Sequence, residues 1–91
     1  MIIATVRLHP RAGTVAAVNR DAVLDALWAH ARPDERIEHI YVGGGDPDPI
    51  GIAVFLAGAD QATGEATAAR LCARMLAANR GWRRAFHLPP D

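Results

Sequence analysis

Lysine is absent from this 91-residue chain: the ten basic residues are all arginine, and ten acids balance them to a formal charge of zero. Without net positive charge there is no bulk attraction to a phosphate backbone, so nucleic acid is not an expected partner. Together with abundant alanine, the missing lysine reads as the codon bias of a GC-rich bacterial genome rather than as a functional choice. Cysteine occurs once, as Cys72, which excludes an internal disulfide and any CxxC metal or redox motif. Set in LCARML, it reads as a small core residue. Long apolar runs are missing too: none approaches the roughly 20 residues that span a bilayer, and MIIATVRL lacks the basic start and cleavage site of a signal peptide. The expectation is a cytoplasmic protein with no membrane association. Aromatic residues make up only 5% of the chain, too few for a broad stacking surface. A chain this short buries about 60 to 65% of its unfolded surface, which suits one domain over residues 1–91 and places any site on a surface or between subunits.

What is present is alternation and helical spacing. Residues 2–9, IIATVRLH, place Ile2, Ala4, Val6 and Leu8 on one side and Ile3, Thr5, Arg7 and His9 on the other, a half-buried strand ended by Pro10. RAGTVAAV follows as a loop or helical start, and Val15, Val18 and Ala22 extend the helical stripe far enough back to allow a start near Thr14. Asn19 is an N-cap candidate for a helix over 19–31, with Val23, Ala26, Leu27 and His30 at helical spacing before Pro33. RIEHIYV (36–42) and IGIAVFLA (50–57) read as two further strands. Asp60 caps a helix over 61–79 whose buried stripe is Ala68, Leu71, Cys72, Met75, Leu76 and Asn79, with Gly64 weakening its first turns. The tail GWRRAFHL (81–88) alternates as a last strand stopped by Pro89 and Pro90, with Trp82 covering an edge of the core; Trp28 lies off the first helix stripe. The order βαββαβ predicts an α+β, ferredoxin-like sandwich: a four-stranded antiparallel sheet in order 4-1-3-2, two helices on one face and the other face open.

The stretch YVGGGDPDPIGIAVF raises the possibility of a phosphate loop. Pro47 and Pro49 remove amide donors, no lysine follows, and a strand rather than a helix comes next, so a hairpin is the better reading. Gly43 to Gly45 give backbone freedom and Asp46 and Asp48 make Asx-type turns; as calcium ligands the two acids have too few companions. Outward parity gathers possible chemistry next to this hairpin. The favoured register sets Tyr41 opposite Gly51 and His39 opposite Ala53, with Arg7 and His9 on the far side, Phe55 further along and Arg83 close to His9. That makes a shallow trough floored by Gly51 and Ala53. Arg7, His9, His39, Tyr41, Phe55 and Arg83 are the candidate ligand-binding residues, and His9 or His39 the candidate catalytic proton carrier. No metal site is expected: His9, His39 and His87 share a parity, but a strand over 81–88 antiparallel to the first would put His87 near Ile3, about 15 to 20 Å from His9. An RNA-recognition domain has the same element order, yet only Phe55 supplies an aromatic on the third strand, beside Ile3 and Thr5 on the first.

The MII strand, the first helix, the DPDP-turn hairpin ending in an apolar strand and the second helix resemble, in their order, the dimeric α+β-barrel proteins, among them antibiotic-biosynthesis monooxygenase-like domains. That resemblance implies pairing of two open sheet faces across a dyad and, in some members, cofactor-independent turnover of aromatic polyketides. The chain departs from it in having no identifiable catalytic constellation. The first expectation is therefore a homodimeric binding or accessory protein that buries Ile3, Phe55 and Tyr41 between subunits, with a small molecule or another protein as further partner. The alternative is a monooxygenase- or cyclase-like enzyme of that type acting, without a cofactor, on a small aromatic or anionic substrate.

Overall fold

The first strand, β1 (Ile2–Pro10), alternates as its sequence does, with Ala4 and Leu8 fully buried on one side. The structure is a computed structural model, described here for residues 1–11, 19–44 and 49–88. Expectations that fall on the other residues, including a helix start near Thr14, the Asx turns at Asp46 and Asp48, and the stop at Pro89 and Pro90, lie outside the described residues.

Helix α1 (Arg20–His30) starts where Asn19 is extended and its side-chain oxygen accepts the amides of Asp21 at 2.9 Å and Ala22 at 3.3 Å. These are two of the donors that a helix start leaves without partners. The strands β2 (Ile37–Gly44) and β3 (Ile50–Leu56) form the expected antiparallel hairpin. Helix α2 (Gln61–Ala78) is capped by Asp60, whose carboxylate accepts the Thr63 amide at 2.7 Å. Its buried stripe contains Ala68, Leu71, Cys72, Met75 and Leu76 as the spacing predicts, together with Gly64 and Thr67. Gly64 has a tertiary reason: a Cβ there would run into the Ile2 side chain, so the missing side chain lets α2 lie close on β1.

The four strands form one antiparallel sheet in the order β2-β3-β1-β4, which read from the other edge is 4-1-3-2. The core lies between α1, α2 and one sheet face made by Ala4, Leu8, Ile40, Ile50, Ile52, Val54 and Leu56. Among the described residues, no helix is long and apolar enough to cross a membrane.

The structure corrects the reading of the tail. Arg80–Ala85 is a short helix, α3, and only Phe86–His87 forms a strand, β4. Trp82, Ala85 and Phe86 fall at i, i+3 and i+4, so one helical turn followed by an extended pair turns all three onto the core. A strand would have put the Arg84 guanidinium on that side instead. Strict alternation from Ile40 would point Ile37 outward; a bulge between Ile37 and His39 instead sets it opposite Leu56 and against the core.

Candidate functional site

The outer face of the sheet is a grid read from the ladder register. Ile3, Phe55 and His39 form one row; Thr5, Ala53 and Tyr41 the next; Arg7, Gly51 and Gly43 the third. The hairpin therefore closes two residues later than the sequence reading has it. Tyr41 stands opposite Ala53 rather than Gly51, and His39 opposite Phe55 rather than Ala53. The cause is that Gly43 and Gly44 continue β2 instead of starting the turn. Gly44 adopts φ +81°, where an added Cβ would meet the Pro49 carbonyl, so a glycine is needed to leave the strand at that point.

Gly43 has a different role. A Cβ on it would stand 2.9 Å from Cε1 and 3.1 Å from the hydroxyl of Tyr41, so the tyrosine ring lies along β2 over the glycine. Beside this ring is a depression of about 560 Å³. Gly43, Gly51 and Ala53 form its floor, Tyr41 lies on one side, and Thr5 and Arg7 lie on the other. Among the described residues, Arg7 is the only charged one in its lining. Tyr41 is 60% exposed, so an aromatic plate stands in water across the floor from the Arg7 guanidinium; Ile3, 50% exposed, lies two rows from Arg7 on the same face. Such a surface suits a planar ligand with a negative group.

The structure does not bring all the expected residues together. Arg7 and Tyr41 line the depression; Phe55 is one row away, edge-on to His39 with ring centroids 5.5 Å apart. His39 lies in the row of Ile3, six residues along β1 from His9, which separates the two imidazoles by about 20 Å along the strands. His9 instead faces His87 directly across β1 and β4, ring centroids 5.7 Å apart. This overturns the expectation that His87 would lie near Ile3, and the short β4 is the reason: pairing starts only at Phe86, against Pro10. Arg83 sits in the last turn of α3, where its carbonyl accepts the Arg11 guanidinium at 3.3 Å, and it does not line the depression. Thr5 and Gly43 are lining residues that the sequence reading left out of its candidates. The outward parity of Thr5 was visible; Gly43 was hidden by its assignment to the turn. Among the described residues no group of three or more histidine, cysteine, aspartate or glutamate side chains is placed to hold a metal ion.

Comparison with protein-family models, curated proteins and solved structures finds no match for this chain.

Proposed function

We propose that the chain is a small ferredoxin-like binding or accessory domain that self-associates through its open sheet face and holds a planar, anionic small molecule between Tyr41 and Arg7. The observation that carries this reading is the depression itself: a floor without long side chains, flanked by one aromatic ring and one guanidinium. The β1 and β2 backbones stand two strand spacings apart, about 10 Å, which admits a one- or two-ring ligand between their side chains. Exposed Ile3 and Tyr41, with half-buried Phe55 in the row of Ile3, supply the apolar patch for a second copy. We place the protein in the bacterial cytoplasm, in keeping with its arginine-only basic residues and buried free thiol.

A cofactor-independent enzyme of the dimeric α+β-barrel type is the second reading, because two apposed open faces would enclose the depression. Binding ranks above turnover because neither His9 nor His39 lines that depression. The experiment is titration of the protein with 2-naphthoate, followed by amide NMR shifts and calorimetry. Shifts centred on Thr5, Gly43, Gly51 and Ala53, and about tenfold weaker binding in Arg7→Gln and Tyr41→Ala, are expected. Unchanged affinity in both variants would remove the ligand assignment. Sedimentation equilibrium tests the other half: a dimer made monomeric by Ile3→Glu supports self-association, and a monomer at every concentration refutes it.

A further inference from the structure

We propose that His9 and His87 form a two-imidazole site for a borderline divalent transition metal ion, Cu²⁺, Ni²⁺ or Zn²⁺, which fastens β4 to β1. The two residues are direct cross-strand partners, half-buried, with ring centroids 5.7 Å apart and ring planes 27° from parallel. An ion about 2.0 to 2.1 Å from an imidazole nitrogen lies about 3.2 Å from that ring's centroid. Two such ligands on one ion then place their centroids about 5.2 Å apart at a tetrahedral angle and about 6.4 Å apart when opposed. The observed separation lies inside this span, and the site forms by turning the two rings out of their stacked arrangement until one nitrogen of each faces the ion. His87 is already oriented: its Nδ1 lies 3.2 Å from the Leu88 carbonyl. With the proton on Nδ1 donated there, the lone pair is on Nε2, the arrangement that fixes a metal-ligating tautomer.

The remaining coordination positions fall to water or buffer anions, since no third protein ligand is near among the described residues. The nearby Arg11 guanidinium donates to the Arg83 carbonyl. A two-nitrogen site follows the ordinary preference Cu²⁺ over Ni²⁺ and Zn²⁺ and takes neither Mg²⁺ nor Ca²⁺, which require oxygen donors. Among the described residues β4 pairs with β1 only at His9 and Pro10, so an ion shared by both strands acts on the least anchored part of the sheet.

The test uses untagged protein titrated with Cu²⁺ or Zn²⁺ by calorimetry and amide NMR, with thermal unfolding as the second readout. One equivalent bound, Cu²⁺ broadening centred on His9 and His87, and a higher unfolding midpoint are expected. At Zn²⁺ ten times above its Kd the folded state gains about 11-fold in population ratio. His9→Asn and His87→Gln should each abolish the binding and the midpoint shift, while His87→Asp, which restores a ligand, recovers part of both. His39→Asn should bind as the unaltered chain does. Binding that survives both His9→Asn and His87→Gln, or no binding of Cu²⁺ by the unaltered chain, overturns the site.

Discussion

Tyr41 can lie flat along β2 only because position 43 carries no side chain. Gly43→Ala is therefore expected to lift the ring, weakening naphthoate binding several-fold with a small effect on stability, because the tip of the tyrosine can move into solvent. Gly44→Ala is expected to be worse for the fold: an alanine at φ +81° is strained and its Cβ meets a backbone oxygen, so a loss above about 1 kcal/mol should appear in urea unfolding. Cys72 makes a residue-scale prediction in pH. Burial pushes its thiol up to about 12 from the ordinary 9.0. The unfolded chain releases this proton near pH 9 and the folded chain keeps it, so stability is full below pH 9 and falls as pH rises toward 12, by at most about 1.4 kcal/mol per pH unit. Urea titrations at pH 8 and 10.5 should show a smaller decline in Cys72→Ala. The core role of this residue was legible in LCARML, because a small apolar side chain on a helical stripe has few other uses. The role of Gly43 was not legible, since it depends on where a ring two residues earlier comes to rest.

At the scale of elements, the helices were the most readable parts because their start signals act within four residues. Asn19→Ala is expected to cost about 1 kcal/mol by leaving the amides of Asp21 and Ala22 without their side-chain acceptor. Asp60 behaves likewise with a charge: the hydrogen bonds from Thr63 hold its carboxyl below the ordinary value of 3.8. Its contribution is present above that value and is lost as pH falls through the lowered one. The Arg74 clamp leaves no signal in the sequence, because its partners lie 44 and 39 residues away. Its guanidinium donates to the His30 carbonyl at 2.9 Å and to Glu35 at 2.6 Å, tying α2 to the end of α1 and to the 3₁₀ turn Pro33–Glu35. Glu35 also accepts the Arg32 amide, and both partners are largely shielded from water. Arg74→Ala should thus lower stability by about 2 kcal/mol in thermal or urea unfolding, with Arg74→Lys losing much of that because an ammonium cannot reproduce the fork. The tail is ambiguous in sequence because an eight-residue segment satisfies both period 2 and one turn of helix. Packing of Trp82 and Ala85 on the core decided between them.

Across the whole molecule, the two sheet faces should answer differently to the same kind of truncation. Leu27, fully buried between α1 and the sheet, is expected to cost 2 to 5 kcal/mol as Leu27→Ala. Ile3→Ala, on the half-exposed outer face, should cost under about 1 kcal/mol in dilute protein; comparison of the two urea midpoints checks the asymmetry. The sequence by itself determined the antiparallel α+β plan, the helix caps, the inward residues of β1 and β3 and the outward positions of Arg7 and Phe55. Each of these is a short-range property, read from alternation, helical spacing or a cap beside its helix. Only the tertiary structure decided that Tyr41 pairs with Ala53, that a bulge returns Ile37 to the core, and that His9 meets His87 rather than His39. Those outcomes depend on where each strand stops and each turn closes. A shift of one or two residues leaves composition unchanged but moves every cross-strand partner, so no local pattern in the chain records it.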